Sequence, residues 1–350
     1  MRIMLLRVGL RHNWQQQFRD TCLLWNHVGK TSSQSSIGQR IICRSVRTSA
    51  RHRNAIRTKF QPMEATGGEP VPLGNVAKAF LFTGAFSFGS FLGASILEYE
   101  NTRNMMLEKA RQAKLSWFPR KTNDGTLQNL KKDVKRHWDQ LTPSEKIFVP
   151  ICAVNVLVFL AWRVPAWREV MLHYFCSNPA SRAVCWPMFL STFSHYSGLH
   201  LFANMYVLHS FCNPAIISLG KEQFLGLYLS AGVVASFASI LYKSVTAQAG
   251  LSLGASGAIM AILAYVCAQY PDTQLSILFL PMLTFSAGAA IKVIMGVDFA
   301  GCILGWKFFD HAAHLGGALF GLFWAFYGID IWQKRLPFVT KYHDWRKTKQ

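Results

Sequence analysis

Seven apolar runs divide this chain, at about residues 76–97, 147–164, 188–211, 223–242, 254–270, 277–295 and 310–329. Stretches of that length leave few architectures open. Each approaches the roughly 20 residues a helix needs to cross a bilayer. Lipid offers backbone groups no hydrogen-bond partner, so a helix that closes its own bonds is the economical solution. Only 15% of the 350 residues are charged, against about 25% in soluble domains. The apolar residues are clumped rather than periodic. The expected fold class is therefore an all-α membrane protein. One transmembrane helix at 76–97 comes first, then a polar loop over 98–145 that reads as water-exposed and partly helical. A bundle of six helices fills 146–330, and a basic tail closes the chain at 331–350. No internal repeat argues for a transporter built from inverted halves.

Charge is distributed unevenly. Residues 1–60 hold twelve Arg or Lys against one acid, Asp20, which accounts for +11 of the net +20. An Arg-rich, Ser-containing, acid-poor start has the character of a mitochondrial targeting segment. Together with a Pro/Gly-rich linker it occupies residues 1–75. No aromatic-basic module follows, so nucleic acid is not an expected partner. The eight cysteines show neither CxxC nor metal-ligand spacing, and no HExxH is present. No metal or cofactor is expected. Cys176 and Cys185 share one connecting segment, and the sequence leaves open whether they pair.

Polar residues inside apolar runs are costly and by default mark function. Gly254-Ala-Ser256-Gly257 opens the fourth run of the expected bundle, and Ala313-His314-Leu-Gly-Gly317 lies on the sixth. A serine and a histidine are a nucleophile and its general base when they touch. Gly257, Ala261, Ala264 and Ala268 share one side of a helix, as do His314, Gly317 and Gly321. Small residues let helices approach closely in lipid. Two such faces pressed together would bring Ser256 and His314 within hydrogen-bond range. His200 and Asn204 lie at i, i+4 on the second run. With the Ser256 backbone N–H they offer donors to the oxyanion that forms when serine attacks a carbonyl. Hydrogen bonding between helices is the plainer role for both. His195 and His209 read as structural, and His311 with His314 is a weak metal pair. Asp310 lies four residues before His314 and reads as a helix cap rather than a catalytic acid.

These motifs together resemble the rhomboid intramembrane serine protease family. The match covers roughly 146–330 through Gly254-Ala-Ser256-Gly257, His200-Leu-Phe-Ala-Asn204 and Ala313-His314-Leu-Gly-Gly317. The resemblance implies a dyad without an acid, with Ser256 as nucleophile and His314 as base. It implies an oxyanion hole of His200, Asn204 and the Ser256 amide. The extra first helix and the basic N-terminus resemble the mitochondrial, presenilin-associated branch. That branch implies a multi-pass protein of the inner membrane whose partners are the bilayer and single-span mitochondrial membrane proteins that it cuts. The oligomeric state is not implied. Two positions depart from the family pattern. Met260 stands where many members carry a Tyr that stacks on the catalytic His, and Trp186-Pro187 stands where many carry Trp-Arg. A catalytically inactive relative that only binds membrane helices is the competing expectation, and the intact Ser256/His314 pair argues against it. A channel would show polar stripes on several runs, and the third and fifth show almost none.

Overall fold

The computed structural model describes residues 72–115, 126–248, 250–277 and 280–348. The targeting segment and most of the linker expected over 1–75 lie outside the described residues. Helix α1 runs unbroken from Leu73–Leu115. The polar loop expected from residue 98 thus begins as a continuation of α1. Neither Gly nor Pro occurs between Gly93 and Pro119, so the chain leaves the apolar stretch without meeting a breaker. Helix α2 (Thr126–Gln140) follows, and its later part, Lys132–Gln140, meets α3 (Glu145–Ala161) at a bend of 112°. The turn between them is a reciprocal cap. Thr142 Oγ1 accepts from the Glu145 amide at 3.2 Å, and Glu145 Oε2 accepts from the Thr142 amide at 2.7 Å, satisfying two orphan donors at once.

Two short helices, α4 (Arg168–Tyr174) and α5 (Cys185–Leu190), occupy the connection to α6 (Gly198–Leu219). The apolar run expected over 188–211 is thus split, with a bend at residues 194–197 between α5 and α6. Cys176 and Cys185 are both free thiols. Helix α7 (Lys221–Val245) and helix α8 (Ser256–Gln269) form the centre. Every residue of α8 from Gly257 to Cys267 is buried, as befits a helix apolar on all sides. Its neighbours are α6, α7, α9 and α10.

A two-stranded antiparallel hairpin, β1 (Gln274–Ile277) and β2 (Leu280–Ser286), replaces the first half of the expected fifth helix. Pro281 lacks the N–H that a helix interior requires. Helix α9 (Ala287–Leu304) begins only where Ser286 caps it, its hydroxyl accepting from the Ala289 amide at 3.2 Å. It stops at Gly305, whose φ of +68° suits glycine. Helix α10 (His311–Gln333) and an amphiphilic tail helix α11 (Leu336–Lys347) complete the chain.

The molecule is a helical membrane bundle. Helices α1, α7, α9 and α10 are long and apolar enough to cross a bilayer, and the bent α2–α3 pair adds a fifth if taken as one span. Helix α8, at 14 residues, is shorter, so length alone does not reach the expected count of seven. Helix α1 lies along α7 and touches α10. Phe91 stacks on Trp324 with ring centroids 4.1 Å apart, and it sits where a side chain on Gly226 of α7 would come within 2.8 Å. Below that contact, Glu98 pairs with Arg335 and Glu100 with Arg346, fastening α1 to the end of the chain.

Candidate active site

Ser256 is the first residue of α8, reached through a turn in which Gly254 has φ of +130°. A side chain at Gly254 would also lie 2.9 Å from the His200 ring, so both conformation and space require glycine. Four bonds hold this turn from the α4–α6 connection. The Gly254 amide donates to Ser191 O at 2.9 Å, the Ala255 amide donates to His195 Nε2 at 3.3 Å, and Ser252 exchanges backbone bonds with Ser177 at 2.8 and 3.0 Å. The fully buried His195 is thus structural, as expected, and it anchors the residue next to the candidate nucleophile. His209 is exposed and meets the edge of Phe148 at 5.0 Å.

Helix α10 presses against α8 with almost nothing between. A Cβ on Gly317 would lie 2.0 Å from Gly257 O, and one on Gly321 would lie 2.1 Å from Ala261 O. No side chain fits at either place. Gly257 in turn faces Ala235 of α7, where a Cβ would approach to 2.3 Å. The small-residue faces read from the sequence are the faces in contact. Their seam brings His314 Nε2 to 2.8 Å from Ser256 Oγ, a hydrogen bond of ordinary length.

Behind His314 stands an acid that sequence reasoning passed over. Asp298 of α9 is buried, with Oδ1 3.3 Å from His314 Nδ1 and 2.7 Å from His311 Nδ1. The expected dyad has no acid, yet a carboxylate lies 3.3 Å from the far nitrogen of the imidazole, on the side the acid of a serine–histidine–aspartate triad takes. The signal was a lone acid just past the run read over 277–295, in a stretch that stays apolar to Leu304, which is costly enough to read as functional.

Asp310 has the other role foreseen for it. Its Oδ1 accepts from the Ala313 amide at 3.1 Å and caps α10. Its Oδ2 accepts from Ser239 at 2.5 Å and from Ser252, and pairs with Lys243 at 3.2 Å. Burial pushes this carboxyl up, but Lys243, the two hydroxyls and the Ala313 amide outweigh it and hold the group below the usual carboxylate value.

His200 borders the same space. The position a Gly254 Cβ would take is 3.3 Å from His200 Nε2 and 3.8 Å from Ser256 Oγ. Asn204 is buried one turn along α6 and turns its amide NH2 to His200 O at 2.8 Å. Met260 packs with Leu263, Ala264, Cys267, Ala287 and Ile291 toward α9. The ring that accompanies His314 is Phe309, with centroids 6.0 Å apart and a tilt of 36°. Pro187 is buried in α5, and its neighbour Trp186 meets Phe82 of α1 edge-on at 6.2 Å. A cavity of about 30 Å³, lined in part by Ser191, Ser236, Ser252, Asp310 and Ser256, adjoins the serine. It has room and polar partners for one water. Among the described residues no cluster of His, Cys, Asp and Glu has the makings of a metal site.

Comparison with known proteins fits this geometry. A family description, the rhomboid domain, matches residues 182–331. That span includes Ser256, His314, Asp298, His200 and Asn204. The chain is 47% identical to the mitochondrial presenilin-associated rhomboid-like protein of Mus musculus, covering 79% of this chain and 74% of that protein. It is 46% identical to the Homo sapiens protein of the same description, over 79% and 73% of the two. Similarity reaches the mitochondrial Rhomboid protein 1 of Saccharomyces cerevisiae, at 30% identity over 53% of this chain and 54% of the other.

Proposed function

Since the chain belongs to the rhomboid family, we propose that it is an intramembrane serine protease of the mitochondrial inner membrane. It hydrolyses peptide bonds in or beside the membrane helix of single-span mitochondrial proteins. Residues 146–330 form the catalytic core on this reading, and residues 1–75 deliver the chain to the organelle. The observation that carries it is the 2.8 Å bond between Ser256 Oγ and His314 Nε2, with Asp298 behind the imidazole.

The chemistry follows from those atoms. To accept a proton at Nε2, His314 must carry its own hydrogen at Nδ1, and the Asp298 carboxylate favours that tautomer. Ser256 attacks the substrate carbonyl as His314 takes its proton. The new oxyanion is met by the Ser256 amide, which is free at the first turn of α8, and by His200 and Asn204. The peptide C–N bond then breaks, and His314 returns the proton to the leaving amine. An acyl ester remains on Ser256, which water hydrolyses in the reverse order. The cavity beside Ser256 supplies room for that water. A helical carbonyl is already hydrogen-bonded, so the substrate helix must open locally. Substrates with Gly or Pro near the cut are favoured for that reason.

The test is co-reconstitution with a candidate single-span mitochondrial protein, wild type beside Ser256→Ala. Removal of the nucleophile should cost about 10⁶-fold in turnover and abolish labelling by a fluorophosphonate. Equal cleavage by both proteins ends the protease reading. Binding of the substrate by both, with no cleavage by either, turns the chain into the inactive helix-binding relative. Replacing Gly or Pro near the scissile bond by Leu should slow cleavage, and indifference to that change removes the unwinding step.

A further inference from the structure

We propose that His311 is a positioning residue for this site, resting on the protease reading above. It clamps the Asp298 carboxylate so that His314 meets a fixed acceptor. Asp298 Oδ1 faces two imidazoles, and the shorter contact is to His311 Nδ1, at 2.7 Å against 3.3 Å for His314 Nδ1. His311 is itself 4% exposed and Asp298 is equally so. A carboxylate only accepts, so His311 donates to it from Nδ1. Nε2 of His311 is buried, and among the described residues no hydrogen-bond partner faces it. Aromatic rings enclose it instead, with centroids of Trp306, Phe308 and Phe309 at 5.8, 5.1 and 6.1 Å. An imidazole so enclosed has one use for its polarity, the bond to Asp298.

Helix α9 is shaped to receive this ring. A Cβ on Gly301, three residues beyond Asp298, would lie 2.5 Å from His311. Asp298 and Gly301 share a face of α9, and His311 fills the socket between them. A carboxylate on a short side chain keeps rotational freedom unless something fixes it. Here the hydrogen bond is to His311, and the looser approach, 3.3 Å, is to the histidine that must gain and lose a proton. The division of labour suits catalysis. Motion of His314 during proton transfer leaves its acceptor where it was.

Asparagine and leucine separate positioning from packing, because they are nearly the same shape and only asparagine offers an N–H where His311 Nδ1 stands. The full chain is reconstituted in liposomes, and kcat, KM, thermal unfolding and the rate of fluorophosphonate labelling are measured. His311→Leu should lower kcat about 10- to 100-fold, the scale of a misplaced catalytic group. KM should stay within about twofold, and labelling should slow by the same factor. His311→Asn should recover most of the loss. In an Asp298→Asn background, His311→Leu should have little further effect, since the two act as one unit. Gly301→Ala, which crowds the ring while leaving it in place, should lower kcat in the same way. Should the leucine variant fail to fold, the asparagine and Gly301→Ala proteins carry the test. Equal activity of the leucine and asparagine variants overturns the proposal. So does an undiminished effect in the Asp298→Asn background, or unchanged turnover in Gly301→Ala. A wild type that neither cuts nor labels brings down the protease reading and this one together. A wild type dependent on Ser256 but indifferent to His311 brings down this one alone.

Discussion

Helix α10 has two working faces, and they are built on opposite principles. Toward α8 it is bare, with Gly317 and Gly321 set against backbone carbonyls where no Cβ fits. Toward α9 it is furnished, with His311 and His314 both reaching Asp298. The first face fixes distance by exclusion, since the helices stop where their backbones touch. The second fixes orientation through a shared carboxylate, hydrogen-bonded to His311 and 3.3 Å from His314, which sets angle but tolerates small shifts. On the proposed chemistry, Ser256 and His314 need both. Closeness without orientation gives a histidine in the wrong tautomer, and orientation without closeness gives a base that cannot reach its serine.

Breaking the bare face should do the greatest damage. Gly317→Leu drives a side chain into Gly257 O, one residue beyond the candidate nucleophile. Turnover should fall to the level of Ser256→Ala, about 10⁶-fold below wild type. Unfolding in detergent should shift by at least about 3 kcal/mol, beyond ordinary overpacking. Normal activity of this variant would mean the seam does not set the Ser256–His314 distance. Breaking the furnished face should separate activity from stability. Asp298→Asn keeps size and shape but favours the wrong His314 tautomer. We expect kcat to fall about 10⁴-fold, the scale for triads that lose their acid, with the unfolding temperature little changed. Parallel loss of both would make Asp298 a packing residue.

The third test sharpens the contrast between two carboxylates near the same histidine. Asp310→Ala removes the cap of α10 and strands Lys243, which should cost about 1–2 kcal/mol of stability. The effect on kcat should be far smaller than that of Asp298→Asn. The sign of its pH dependence is fixed by the depressed value. A carboxyl held low in the fold stabilises above its ordinary value of 3.8 and loses that contribution only as pH falls through the lowered one. Between pH 5 and 8 unfolding should therefore be insensitive to Asp310, and a wild-type stability loss in that window that vanishes in Asp310→Ala would refute the assignment. The smallest effect belongs to the rim. Glu98→Gln removes a half-exposed ion pair with Arg335 and should cost no more than about 1 kcal/mol. A collapse of the bundle on that change would show that α1 is held by charge rather than by packing along α7.

The two faces were not equally legible in the sequence. Glycines at helical spacing announced the bare one, because close packing in lipid depends on residue size and size is written in the code. The furnished face was not announced. Histidine 314 stood out by its neighbours, but Asp298 is one acid among apolar residues whose partner lies on another helix. Only the turn of α9 against α10 brings it to the imidazole. The run over 277–295 misled for a different reason. Apolar character marks depth and not conformation, and Pro281 was the local evidence that a helix waits until residue 287. Likewise, the change from apolar to polar after Leu97 reads as an end, yet α1 continues for want of a breaker. The reciprocal cap at Thr142 and Glu145 was readable because its atoms lie within three residues of one another.

That uninterrupted first helix has a mechanical meaning. Forty-three residues make a rod about 65 Å long at 1.5 Å per residue, and a bilayer's hydrocarbon takes up only about 30 Å of it. Near the point where its apolar residues give out, Glu98 and Glu100 tie the helix to Arg335 and Arg346 of the tail. The surplus length is therefore a stiff continuation gripped by the end of the chain rather than a slack tether.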